Sequence, residues 1–174
     1  MNILTLKKIN CEKYIDRLEE LDISKIQFLE YHILDTSRVY VNYPTRKEVN
    51  YGDLYVNVAF TYLTSSFNLE KFILKAYIAI HIDYPIDSIH SRIKSYFTGA
   101  NLIPIKSEEV ENQFKQWFKE EELQKMNINF LDIKEAVKIG EIDFYGDNDY
   151  YGYNGFIVFV TSEKIYFVNF FSNI

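Results

Sequence analysis

Two histidines and two aspartates lie close together near the middle of the chain, in the pattern His81-x-Asp83 followed by Asp87-x-x-His90. Imidazole and carboxylate groups bind divalent metals, and the three-residue spacing puts Asp87 and His90 on one face of a helix. The pattern predicts a metal or acid–base site if the four side chains converge. The structural alternative is that Asp83 and Asp87 stabilise the start of a helix, while His81 points away from an apolar strand face.

A segment rich in tyrosine, aspartate and glycine occupies residues 143–155. Its central part begins like a calcium-binding loop, but Tyr151 and Val158 stand where oxygen ligands are required, so we reject an EF-hand. A looser cation site and a plain loop between strands are alternatives. The leading interpretation is a protein-binding surface, because tyrosine is frequent at interface hot spots and carboxylates attract basic partners. The predicted partner-binding residues are Asp143, Tyr145, Asp147, Asp149, Tyr150, Tyr151 and Tyr153.

The formal net charge is −6, and the acidic excess lies entirely in the second part of the chain. Residues 1–100 contain 12 basic and 12 acidic residues, whereas residues 101–174 contain 7 basic and 13 acidic residues. Much of this acidity falls in a helix predicted over 108–125, which includes Glu120-Glu121-Glu122. Such a surface disfavours nucleic acid and anionic membranes and favours a basic protein. The alternative is a solvated face that serves solubility.

Motifs for catalysis and cofactor binding are missing from the sequence. The histidines (His32, His81 and His90) and the single cysteine, Cys11, do not have the spacing of a catalytic triad. The sequence contains no nucleophile elbow, no P-loop and no dinucleotide-binding glycine pattern. A single cysteine also excludes an intrachain disulfide and a cysteine-based zinc site. We therefore expect no catalytic residue and no cofactor.

Hydrophobic periodicity predicts the strands that must position these residues. The stretch Leu54–Ile82 contains two sets of apolar residues at every second position, separated by a polar break, which predicts a long antiparallel hairpin. Strands predicted over 25–34 and 38–43 extend this hairpin to a four-stranded meander. A second hairpin is predicted at the C-terminus, from Phe156–Thr161 and Ile165–Phe171.

Helices are predicted over 10–22, 86–97 and 108–125, where apolar residues recur at helical spacing. Asp132 and Glu135 have the spacing of a capping box, which predicts a further short helix that ends at Gly140. These elements predict an α+β fold: an antiparallel sheet, made of the four-stranded meander plus the C-terminal hairpin, with helices packed on one face. Residues 1–174 are expected to form a single domain, with a sub-boundary near 99–105.

The composition also bears on the cellular setting. The start of the sequence has too short an apolar run for a signal peptide, and no run approaches the roughly 18 apolar residues of a membrane-spanning helix. We therefore expect a cytoplasmic protein.

The sequence has 15 Tyr and 14 Phe, with abundant Ile, Lys and Asn, and these residues have A/T-rich codons. This bias favours a low-GC genome, so part of the tyrosine excess reflects codon usage.

The leading prediction is a non-enzymatic protein-binding function, namely an immunity or antitoxin-type protein that blocks a basic toxin domain such as a nuclease. In its general organisation the chain resembles bacterial toxin-immunity proteins, without a diagnostic motif from which functional residues can be transferred. A second interpretation is a chaperone or adaptor, because the meander followed by a helix resembles the order of elements in SecB-type export chaperones. A third is a metal-dependent hydrolase that uses His81, Asp83, Asp87 and His90. The oligomeric state is left open.

Overall fold

The computed structural model describes residues 4–33, 40–42, 46–48, 53–140, 143–145 and 152–173. Within these ranges the strands are β1 (Lys8–Asn10), β2 (Gln27–Ile33), β3 (Tyr40–Asn42), β4 (Arg46–Glu48), β5 (Asp53–Tyr62), β6 (Thr98–Pro104), β7 (Glu135–Ile139), β8 (Asp143–Tyr145), β9 (Gly152–Val160) and β10 (Lys164–Asn173). The α-helices are α1 (Leu69–Ile80), α2 (Ile86–Phe97), α3 (Ser107–Trp117) and α4 (Glu120–Met126). Two 3₁₀ helices cover Glu12–Glu20 and Phe130–Asp132.

One antiparallel sheet contains all of these strands except β3 and β4, which form a separate two-stranded hairpin. The strand order is β1-β6-β7-β9-β10-β5-β2, and β8 pairs with the part of β9 that lies beyond β7. β10 lies between β5 and β9 and pairs with β5 over its full length of 10 residues. The centre of the sheet is therefore built from β5, β9 and β10. The predicted α+β class with an antiparallel sheet is confirmed.

The central strands are buried on both faces. Successive residues of β10 from Ile165 to Phe170 point to alternate faces, yet all of them are buried. One face, here called the α1 face, packs against α1, α2 and the first 3₁₀ helix, and the other, called the α3 face, packs against α3 and α4. The prediction of helices on one face is therefore wrong, because strands that are apolar on both faces need cover on both.

The first strand of the predicted Leu54–Ile82 hairpin is β5, but its second strand is the helix α1. Asn68 caps this helix, since its side-chain oxygen accepts a hydrogen bond from the Lys71 N–H at 2.9 Å. Residues between the predicted strand positions, such as Tyr77 and Ala79, are apolar and buried as well. A helix that is buried on most sides lacks a distinct apolar stripe, so its sequence resembles a strand. β5 pairs with β2 and β10 instead, which replaces the predicted meander.

The region predicted as a short helix from Asp132 to Gly140 contains β7. Ala136 and Val137 are buried where β7 pairs with its neighbours β6 and β9. The Asp132 carboxylate accepts hydrogen bonds from the backbone N–H and the hydroxyl of Ser162, at 3.0 and 2.6 Å. It therefore fixes the β9–β10 turn instead of capping a helix.

The remaining helix predictions agree better with the structure. α2 has the predicted bounds, and the first 3₁₀ helix lies within the predicted helix 10–22. The predicted acidic helix is present as α3 and α4, which are separated where Phe118 adopts an extended backbone conformation. The C-terminal hairpin is confirmed as β9 and β10. In the part of the chain that the structure describes, no helix has both the length and the apolar character needed to cross a membrane.

Candidate functional site

The acidic residues of α3 and α4 lie on the outside of the α3 face, because the opposite sides of both helices are buried. Phe114 and Trp117 of α3 and Leu123 of α4 pack against the strands. The Phe114 ring contacts Phe159 and Phe170 edge-on, with ring centroids 6.2 and 6.1 Å apart. These contacts set the rotation of the helices about their axes and direct their glutamates towards solvent.

Some of these glutamates have structural roles. Glu109 and Glu122 complete capping boxes, in which their carboxylates accept hydrogen bonds from the N–H groups of Lys106 and Lys119, at 2.6 and 2.8 Å. Glu111 forms an ion pair with the lysine four residues further along α3, at 2.8 Å. Their carboxylates therefore stabilise α3 and α4 themselves.

Glu120 and Glu121 are the exposed carboxylates at the start of α4 that complete no capping box. They lie in the first turn, where the helix dipole favours negative charge, so this acidity is compatible with a stable helix. Their charges face solvent, and they are available to attract a positively charged partner.

The start of α3 lies beside the strands that carry the segment rich in tyrosine and aspartate. A cavity of about 130 Å³ is lined by Glu109 and Gln113 of α3, by Lys138 of β7 and by Gly155 of β9. Gly155 directly follows the residues of β9 that pair with β8. The start of α3 and the strand that pairs with β8 are therefore neighbours in space, although they are distant in the sequence.

The predicted partner-binding residues fall on and around this strand pair. Asp143 and Tyr145 belong to β8, and Tyr153 belongs to β9, where it pairs with Phe144 across the two strands. The side chains of these three residues lie outside the described part of the structure. The remaining predicted residues, Asp147, Asp149, Tyr150 and Tyr151, also lie outside the described residues.

The structure places His81 inside the protein, whereas the sequence predicted an outward-facing residue. His81 ends α1 and is only 6 % exposed. Its ring lies 4.4 Å from the Tyr77 ring and stacks on Tyr84 at 5.0 Å, and the Asn169 side chain of β10 hydrogen-bonds to it. Burial and the charge of Arg92 lower the pKa of His81 to about 4, so its imidazole is neutral at pH 7.

The other members of the predicted metal site do not join His81. Asp83 and Asp87 are exposed, and His90 is half-buried on α2. Among the residues that the structure describes, no group of three or more His, Cys, Asp or Glu side chains is placed to hold a metal ion. These aspartates instead precede and open α2, as the structural alternative expected.

The neighbours of His81 were not predicted from the sequence. Arg92 hydrogen-bonds to the hydroxyls of Tyr77 and Tyr84, and its guanidinium lies 4.7 Å from the Tyr84 ring centre. Asn169 is 2 % exposed and interrupts the hydrophobic run from Ile165 to Phe171 in β10. An asparagine in such a run is a recognisable sign of a buried polar contact, but it does not identify the contacting residue.

Comparison with known proteins adds no functional assignment. No family model matches the sequence, and no curated protein or solved structure matches the chain. The choice between the functional hypotheses therefore depends on the surfaces and charges of this chain. Of the predicted sites, the segment rich in tyrosine and aspartate lies next to the acidic helix α3. The predicted metal ligands His81, Asp83, Asp87 and His90, by contrast, do not form one group.

Proposed function

We propose that this protein is a non-enzymatic inhibitor that binds and blocks a basic protein domain, such as the nuclease domain of a toxin, as an immunity or antitoxin protein does. The observation that carries the proposal is the contact region around the 130 Å³ cavity, where Glu109 of α3 and Gly155 of β9 meet. It brings the start of α3 next to β9, the strand that pairs with β8. This proximity supports a single binding surface that includes α3 and the segment rich in tyrosine and aspartate.

The charge of the α3 face indicates the class of partner. α3 and α4 contain six glutamates and two lysines, whereas the helices of the α1 face, namely the first 3₁₀ helix, α1 and α2, contain six basic and six acidic residues. A negative surface accelerates encounter with a positively charged protein and repels nucleic acid. A nuclease cleft is basic because it holds phosphates, so an acidic surface can occupy it in place of the substrate.

The proposal includes a cytoplasmic location. Cys11 is buried between the first 3₁₀ helix and α1, and burial together with nearby Glu70 raises its pKa to about 12. The thiol is therefore protonated and unreactive at pH 7. A single reduced, buried cysteine is typical of proteins from reducing compartments.

The first experiment identifies the partner in the organism that encodes this protein. Tagged full-length chain is used to capture proteins, and a stoichiometric partner is identified by mass spectrometry, purified and co-expressed in a bacterial host. The proposal predicts a basic protein whose toxicity is suppressed by the wild-type chain. Replacement of Asp147, Asp149, Tyr150 and Tyr151 by Ala is expected to weaken binding about 100-fold and to restore toxicity.

A control variant removes acidic charge from a different surface. The control combines Asp16→Asn, Glu19→Gln and Glu20→Gln, which change exposed residues of the first 3₁₀ helix on the α1 face. This variant is expected to suppress the toxicity of the partner as well as wild type does. Capture of many unfolded proteins by wild type and variant alike would support the chaperone interpretation and contradict the inhibitor. Failure to suppress the toxicity of any captured basic partner would also contradict it.

A further inference from the structure

A second cavity, of about 260 Å³, lies on the opposite side of the molecule from the acidic helices. It is enclosed by the segment before β2, by the end of β5 and by the start of α1. Residues as distant in sequence as Asp22 and Lys75 meet in it. The cavity therefore exists only in the folded chain, and it belongs to neither the acidic surface nor the His81 cluster.

Positive charge is concentrated around this cavity. Lys25, Lys71 and Lys75 line it, and Asp22 is the single carboxylate among its lining residues. Within the described ranges none of the three lysines forms an ion pair. The Asp22 carboxylate accepts a hydrogen bond from the Ser24 N–H at 2.9 Å; contacts with Ser24 lower its pKa, and Lys75 and Lys25 lower it further. The cavity thus retains an excess of positive charge in a chain whose net charge is −6.

The acidic residue of α1 is held away from the cavity. Glu70 accepts hydrogen bonds from the Asn10 N–H at 3.3 Å and from the Lys13 ammonium at 3.4 Å, and it does not line the cavity. Its neighbour Lys71 does line the cavity. The Lys71 ammonium lies 5.8 Å from the centre of the Tyr14 ring, and Asp22 remains the one carboxylate among the residues that line the cavity.

The other walls of the cavity supply hydrogen-bonding groups. Thr61, Thr64 and Ser66 contribute hydroxyls, which donate hydrogen bonds to phosphate oxygens. The Tyr62 ring lies on the α3 face with Phe60, where the Lys164 ammonium is 5.1 and 5.2 Å from the centres of the Phe60 and Tyr62 rings.

We infer that this cavity binds a phosphorylated small molecule of mononucleotide size. Lys71 and Lys75 hold the phosphate groups, and the hydroxyls of Thr61, Thr64 and Ser66 donate further hydrogen bonds to them. Paired lysines and hydroxyls satisfy the several acceptor oxygens of a phosphate better than the two of a carboxylate. The volume is close to the lower end of the about 300–1,000 Å³ range of small-molecule sites, which fits a mononucleotide better than a larger cofactor.

The test titrates ADP into the full chain and follows binding by calorimetry. Wild type is expected to bind ADP with a dissociation constant below about 1 mM. The double variant Lys71→Gln/Lys75→Gln is expected to bind at least about tenfold more weakly, because two charge-assisted contacts are lost. A charge-matched control, Lys94→Gln/Lys125→Gln, changes exposed lysines outside the cavity and is expected to bind like wild type.

A further probe isolates the contribution of the phosphate groups. Adenosine, which lacks phosphate, is expected not to bind measurably. Tyr62→Ala, which removes a ring from the other face of the sheet, is expected to bind ADP like wild type. Circular dichroism of each variant confirms that the fold is retained. The inference is overturned if ADP does not bind wild type, if the cavity and control double variants bind ADP equally, or if adenosine binds as tightly as ADP.

Discussion

The two faces of the sheet share the strands β5, β9 and β10 but differ in polarity inside and in charge outside. On the α1 face the buried side chains include Asn57, Asn169 and His81, and the surrounding surface contains the lysine-lined cavity. On the α3 face the aromatic residues Phe114 and Phe159 dominate the core, and the covering helices present glutamates to solvent. The net charge of −6 is thus distributed unevenly: the helices of the α3 face have an excess of glutamates, and those of the α1 face have equal numbers of acidic and basic residues.

This difference shows that total charge is a poor guide to the partners of the protein. An acidic total alone predicts a basic partner and excludes an anionic ligand. The separated surfaces allow both, because the cavity lysines would attract an anionic molecule on one side and the glutamates would attract a basic protein on the other. At physiological ionic strength the fields of the two sides are screened beyond about 8 Å, so each surface acts locally.

The largest expected effect is on folding stability, where the two faces should be equivalent. Phe114→Ala on the α3 face and Phe97→Ala on the α1 face each remove a fully buried ring. Each is expected to lower the free energy of unfolding by about 3–5 kcal/mol, measured by chemical denaturation. An effect of less than about 1 kcal/mol for one of them would show that its face is not part of the common core.

The next largest effect is on the pH dependence of folding stability, which is expected to come from the α1 face because His81 is buried there. His81 is buried and neutral, with a pKa lowered to about 4 by burial and by Arg92, whereas a histidine in the unfolded chain titrates near 6.5. As the pH falls from about 6.5 to about 4, the unfolded chain binds a proton that the folded chain does not, so folding loses up to about 3 kcal/mol. Above pH 6.5 this loss is absent.

Denaturation measured between pH 7 and pH 4 tests this expectation. His81→Phe should have a weaker pH dependence than wild type, while His32→Gln, which changes an exposed histidine, should keep the wild-type dependence. If His81→Phe and wild type lose stability in parallel over this range, His81 is not the group responsible.

The sequence predicted the elements whose patterns involve neighbouring residues and missed those that depend on contacts between distant residues. The β9–β10 hairpin and α2 were predicted because alternation and helical spacing are patterns of neighbouring residues. α1 was missed because Tyr77 and Ala79 are buried together with predicted strand positions such as Ala76 and Ile80, which removes the polar side that distinguishes an amphipathic helix. β7 was missed because the spacing of Asp132 and Glu135 resembles a cap, although Asp132 binds Ser162.

The candidate sites followed the same rule. The acidic helix and the segment rich in tyrosine and aspartate were predicted as separate features, because the sequence does not record that Glu109 of α3 and Gly155 of β9 line one cavity. The lysine-lined cavity was not predicted at all. Lys25 and Lys71 meet in it only because β2 and α1 lie side by side in the fold, and spacing along the chain does not record that contact.

The measurement that most directly tests the proposed inhibitor is the salt dependence of its association rate with the purified basic partner. Glu120→Gln/Glu121→Gln removes exposed charge from α4 but keeps the Glu122 capping box, and Glu19→Gln/Glu20→Gln is the matched control on the α1 face. By stopped flow at low salt, the α4 variant is expected to associate about fivefold to tenfold more slowly, with a shallower salt dependence, and the control to match wild type. Equal rates for wild type and the α4 variant, or an equal loss in the control, would contradict binding through the acidic surface.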